Sequence, residues 1–138
     1  MSIVIDASVA VKWVIPEPRT DAALALLNEE LIAPALWISE AANALWRHIR
    51  LGEMTGEEAL ALLLELEKAP VATLPAEPHI ARALELAAKA SHPVYDCIYL
   101  ALALQRRTHV VTDDRRFAAA AARLRLRDHV RLLGAPQL

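Results

Sequence analysis

The sequence predicts an α/β fold, three layers deep, in which a central, mainly parallel sheet carries helices on both faces. Short β-branched runs stand at Ser2–Asp6, His109–Thr112 and Val130–Leu133. Longer helical patterns separate them, so strand and helix signals alternate along the chain. The apolar fraction is 56%, mostly Ala and Leu with only 4% aromatic, a composition of helix formers. At 138 residues the chain has the length of one domain, so a single unit is expected over residues 1–138.

The elements follow in order. Ser2–Asp6 reads as a buried strand, and Val9–Ile15 as a helical turn ended by Pro16 and Pro18. Arg19–Asn28 is a short helix, and Leu31–Ala33 a short strand stopped by Pro34. Leu36–Leu51 is an amphipathic helix closed by Gly52 at the position after the C-cap. Thr55 and Glu58 form a capping box that opens a helix to about Lys68. Val71–Leu74 is a further strand. Pro78 stands near the first turn of a helix running to about Ala90, and Pro93 opens another over Val94–Arg106. After the strand His109–Thr112, a helix begins near Asp114 and continues through Ala122, before the last strand.

Composition excludes several classes. A net charge of -2 rules out a general polycation, so nucleic-acid binding would need a local basic patch. The single cysteine, Cys97, forbids an intrachain disulfide and a cysteine-based zinc site. The N-terminus has no basic segment or small-residue cleavage site, and no apolar run reaches membrane-spanning length. A cytoplasmic protein with no membrane association is expected. The histidines are scattered and read as surface or packing residues.

The acids carry the chemical signal. Asp6 ends the first strand, and Asp113 and Asp114 end the strand His109–Thr112. Ligands of open α/β sheets bind beyond the carboxyl ends of strands. The competing reading is that these aspartates cap the helices that follow. Glu40 lies early in an amphipathic helix and shares a face with Asn43 and Arg47. Asp96 sits in the first turn of a strongly apolar helix, where a carboxylate is also favoured by the helix dipole. Carboxylates gathered from separate elements repel, and a divalent cation relieves that repulsion. Oxygen-only ligation suits Mg2+ or Mn2+.

Four segments, in this order and spacing, carry a resemblance. They are Val4-Ile-Asp-Ala-Ser-Val-Ala-Val-Lys-Trp13, Pro34-Ala-Leu-Trp-Ile-Ser-Glu-Ala-Ala-Asn-Ala-Leu45, Tyr95-Asp-Cys-Ile-Tyr-Leu-Ala-Leu-Ala103 and Val110-Val-Thr-Asp-Asp-Arg-Arg-Phe117. Together they resemble PIN domains, and specifically the VapC-type toxins of bacterial and archaeal toxin–antitoxin pairs, over almost the whole chain.

The resemblance implies a metal-dependent ribonuclease. Asp6, Glu40, Asp96 and Asp114 match the family's acidic quartet, Ser8 its small hydroxyl position and Asn43 its asparagine on the glutamate helix. Asp113 occupies a position that varies in the family, where it would assist Asp114 or partly substitute for it. Asp6 and Asp96 are the expected direct ligands of Mg2+ (or Mn2+). Glu40 and Asp114 would ligate directly or through water, or orient the attacking water. Ser8 would hold a water or a phosphate oxygen, unless it serves as a helix N-cap. Lys12, Arg47, Arg115 and Arg116, together with Arg50, Arg106 and Arg107, are candidates for an RNA path through phosphate contacts. A cognate antitoxin and a homodimer are the implied protein partners. The alternatives are a PIN nuclease that is not a toxin, a Mg2+-dependent phosphatase of the aspartyl-phosphate kind, and a non-catalytic binding module.

Overall fold

The structure is a computed structural model and describes Ser2–Pro136, so both ends of the unit expected over residues 1–138 lie outside the described range. Its strands are β1 (Ser2–Ile5), β2 (Glu30–Pro34), β3 (Val71–Leu74), β4 (Val110–Thr112) and β5 (Val130–Leu132). They form one sheet in the order β3-β2-β1-β4-β5, and every pairing is parallel. The helices are α1 (Ala7–Ala10), α2 (Thr20–Ala25), α3 (Trp37–Arg50), α4 (Gly56–Glu67), α5 (Ile80–Ala90), α6 (Val94–Gln105) and α7 (Arg115–Arg123).

Right-handed crossovers place helices that step one way across a sheet on the opposite face from those that step back. Accordingly α3 packs on α1 and α4, and α5 packs on α6 and α7. The result is the expected three-layer α/β/α architecture. Strands covered on both faces read as continuous apolar runs, and Val4, Ile5 and Val110 are fully buried. The helix α6 lies across β1, β2 and β4, and every residue from Cys97 to Ala103 is buried. Its sequence, apolar on all sides, required that position.

Local signals account for most boundaries. Gly52 takes φ +76 after α3, and the Gly52 and Glu53 amides close on the Ile49 and His48 carbonyls. The Thr55–Glu58 capping box is present at α4. Several boundaries differ from expectation. Asp6 leaves β1 and becomes the N-cap of α1. The first and second helical stretches each divide into a short α-helix and a 3-10 turn. Pro34 does not stop β2 but is its last residue, in register with Leu74. The Ala35 amide, one residue on, donates to Leu74. The missing Pro34 amide would face the other neighbour, β1, which has by then turned into α1.

The chain leaves β1 toward β2 and leaves β4 toward β5, in opposite directions. A crevice opens where the order reverses, beyond the carboxyl ends of β1 and β4. Asp6 and Asp114 stand at that point.

Candidate active site

A cleft of about 740 Å³ opens at this edge of the sheet. Asp6, Glu40, Asp96 and Asp114 all line it, as do Ser8 and Asn43. Four elements deliver the four acids. Asp6 and Asp114 cap α1 and α7 by accepting from the Val9 and Arg116 amides. Glu40 and Asp96 sit in the first turns of α3 and α6. For Asp6 and Asp114, helix capping and a place in the cleft are therefore both realised.

Each acid has its own protein donor. Asp6 Oδ1 accepts from Ser8 Oγ at 2.5 Å and from the Val9 amide at 3.3 Å, while Oδ2 accepts from Thr112 Oγ1 at 2.5 Å. Glu40 Oε1 accepts from the Tyr99 hydroxyl at 2.5 Å. Asp96 Oδ2 lies 2.6 Å from His92 Nε2. Asp114 Oδ1 accepts from the Arg116 amide at 2.9 Å. Among the described residues, the second oxygens of Glu40, Asp96 and Asp114 take no hydrogen bond. These three carboxylates are thus each fixed through one oxygen, whereas Asp6 is held through both.

The electrostatics of the cleft disfavour negative charge on three of its acids. Burial pushes the Asp6 carboxyl up to about 7, with the Asp96 charge adding and the hydrogen bonds from Ser8, Thr112 and Val9 opposing. Burial likewise raises Glu40, against the Tyr99 hydrogen bond and with the Asp96 charge. Asp96 is raised by burial, opposed by His92 and reinforced by the Asp114 charge. Three carboxyls that resist ionisation while facing one cleft mark a candidate functional site.

Asp113 behaves differently. Burial alone would raise it, but hydrogen bonds and charges from Arg19 and Lys12 overcome this and hold it below the usual carboxylate range. Arg19 Nε and Nη2 lie 2.7 and 3.1 Å from its two oxygens, and Lys12 Nζ lies 3.2 Å from Oδ2. Asp113 lines the cleft, but its charge is already neutralised.

Lys12, a candidate for RNA contact, is buried, and its ammonium is engaged by Asp113 and, at 3.6 Å, by Glu17. Arg47 is exposed on the cleft wall, Arg116 is exposed on a neighbouring recess, and Arg115 lines neither cavity. Ser8 is not a helix N-cap, since Asp6 fills that place. Ser8 instead donates to Asp6 and accepts the Asp113 amide at 2.9 Å, joining the ends of β1 and β4.

Sequence reasoning missed Thr112, Tyr99 and the role of His92. Thr112 and Tyr99 are fully buried. His92, expected at the surface or in packing, does stack on Phe117 with ring centroids 5.8 Å apart. It also holds Asp96, at a spacing of four residues that gave a usable signal. Tyr99, three residues after Asp96 on the same helix, gave a weaker one.

Known proteins resemble this chain in sequence and in fold. Ribonuclease VapC3 of Pyrobaculum aerophilum is 34% identical over 122 residues, covering 86% of this chain and 93% of that protein. A crystal structure of PAE2754 from Pyrobaculum aerophilum superposes with a TM-score of 0.67 at 24% identity, covering 91% of this chain and 89% of that one. Mycobacterium tuberculosis VapC20, a sarcin-ricin loop cleaving toxin, gives a TM-score of 0.66 at 16% identity, with 86% and 94% covered. FitAcB from Neisseria gonorrhoeae gives 0.60 at 19% identity, with 96% of each chain covered. These structural likenesses establish a shared fold. The PIN domain family model matches residues 3–123. On that match and the VapC3 identity, the chain belongs to the PIN domain family.

Proposed function

We propose that this chain is a ribonuclease that hydrolyses RNA phosphodiesters with Mg2+ or Mn2+, and that it is the toxin of a toxin–antitoxin pair. The observation that carries the reading is the set of four carboxylates, from four elements, each steadied by its own donor and lining one cleft. Its relative of 34% identity is a ribonuclease by name, which supports the same chemistry.

The donor set fits a hydrated divalent ion. The carboxylates offer oxygen only, and three of them resist ionisation until a positive charge arrives. Among the described residues no three His, Cys, Asp or Glu side chains form a ready-made metal cage. Mg2+ keeps most of its waters and uses one or two carboxylates, so a pair of these acids would suffice to hold it. Asp6 and Asp96 would hold the ion. The ion supplies a water of lowered pKa and positive charge at the phosphate oxygens.

The chain's own residues do the rest. Glu40, with Oε1 fixed by Tyr99, presents Oε2 to accept a proton from the attacking water. Its raised proton affinity brings it closer to the range useful for a general base. Asp114 orients water from the opposite wall. Ser8 and Thr112 keep Asp6 in place while charge develops at phosphorus. A phosphatase reaction through an Asp6 phosphoester is disfavoured, because both Asp6 oxygens are buried and hydrogen-bonded.

The test is cleavage of single-stranded RNA by the purified chain. Cleavage is expected with Mg2+ or Mn2+, and none in EDTA or with Asp6→Asn. Undiminished cleavage in EDTA, or none with either cation, refutes the reading.

The protein partners belong to the same proposal. Leu60 and Leu64 on α4 and Ile80 and Leu84 on α5 are exposed apolar residues, which supports a homodimer. Light scattering that finds only a monomer at every concentration would oppose it. An antitoxin would cover the cleft and place an Arg or Lys among the carboxylates, so the purified complex should cut RNA more slowly than the free chain. The setting would be the cytoplasm, where RNA and such a partner meet. Among the described residues no helix is long and apolar enough to cross a membrane.

A further inference from the structure

Asp96 and Asp114 each line two cavities. One is the cleft. The other is a recess of about 460 Å³ that shares only these two residues with it. The other polar walls of the recess are Ser91, His92, Arg116 and Arg123. Two of these walls are preset. His92 is fixed between Phe117 and Asp96, and Arg123 Nε and Nη2 both donate to the Ala90 carbonyl, at 3.2 and 2.7 Å. Arg116 is exposed, and among the described residues its guanidinium forms no salt bridge despite the nearby carboxylates. On the cleft side Arg47 is placed similarly, exposed and, among the described residues, without a salt bridge.

A small substrate needs one pocket. Two cavities that meet at the carboxylates, each with an uncommitted guanidinium, suit a polyanionic strand lying across them. Resting on the nuclease reading of the same acids, we propose that the recess is the subsite for the nucleotide on one side of the scissile phosphodiester, with Arg116 binding the next phosphate. The cleft and Arg47 receive the strand on the other side. Arginine suits this task because its planar fork meets phosphate oxygens in pairs. The Arg116 amide caps Asp114, so a side-chain substitution leaves that hydrogen bond in place.

The test measures binding and cleavage separately. Binding of a labelled single-stranded RNA is followed by fluorescence anisotropy in EDTA, in an Asp6→Asn background, for Arg116→Gln and for Arg82→Gln. Arg82 is an exposed arginine on α5 that lines neither cavity and pairs with Glu85. Arg116→Gln should weaken binding several-fold and lower the slope of log Kd against log salt by about 0.7, the loss of one phosphate contact on a single strand. Arg82→Gln should change neither. In the active background, Arg116→Gln should raise KM several-fold while kcat stays within about twofold. RNAs shortened from each end about the mapped cut should abolish the Arg116 effect on one side only.

An active wild type in which Arg116→Gln matches Arg82→Gln in affinity and salt slope overturns the subsite and leaves the nuclease reading intact. An Arg116 effect that survives shortening from both ends also overturns it. A wild type that cuts no RNA with either cation overturns the nuclease reading, and the subsite with it.

Discussion

Tyr99 donates its hydroxyl to Glu40 at 2.5 Å, tying the middle of α6 to the first turn of α3 beneath the cleft. The phenol is fully buried, and burial, together with the Glu40 charge and hydrogen bond, pushes its own pKa far up. Its proton therefore stays on the oxygen, and the bond to Glu40 persists at any working pH. Tyr99→Phe should cost about 1–2 kcal/mol, because a hydrogen bond to a charged, part-buried group is lost. It should also raise Glu40 further and shift the acidic limb of the pH–rate profile upward. Denaturant melts and a pH–rate series check both, and an unmoved limb would count against Glu40 as the base.

Asp6 makes stability depend on pH in the apo protein. Its folded pKa of about 7 lies above the unfolded value of 3.8. The folded chain thus holds this proton more tightly, so the group costs nothing at low pH and becomes a penalty as pH rises from 3.8 to about 7. In EDTA, the stability of Asp6→Asn relative to wild type should improve by on the order of 4 kcal/mol between pH 4 and pH 8. Denaturant melts at both pH values decide it, and a difference that is flat or grows in acid refutes the account.

Metal binding gives an independent readout. Mn2+ that binds only the folded state should stabilise the wild type by about 2.7 kcal/mol at one hundred times its Kd. Asp6→Asn and Asp96→Asn should shrink the rise in melting temperature while leaving apo stability equal or higher, since like charges are relieved. Destabilised apo variants with an undiminished Mn2+ shift would mean that these acids are structural.

Lys12 and Asp113 form a coupled pair. Asp113→Asn leaves the buried Lys12 ammonium with only Glu17, at 3.6 Å, and should cost about 3 kcal/mol. Lys12→Met in the same chain should restore most of that loss, because the uncompensated charge is gone. Additive losses in the double-mutant cycle would show that the two residues do not act through each other.

The local order of this protein was legible in its sequence. The β-branched runs, the capping box at Thr55, the closing Gly52 and the all-apolar α6 are each set by residues within a few positions of one another. The four acids could be placed for the same reason, as strand-end or first-turn residues, and the helix-cap reading of Asp6 and Asp114 held beside the cleft reading. Only the tertiary structure decided what holds those acids. Thr112 reaches Asp6 across 106 positions and Tyr99 reaches Glu40 across 59. It likewise decided that Lys12 and Asp113 stand within 3.2 Å of each other as an ion pair. These pairings depend on the parallel register that sets Val4 beside Val110 and Ile5 beside Val111. Capping and periodicity act over a turn or two of chain, whereas that register is fixed by the packing of the whole sheet against its helices.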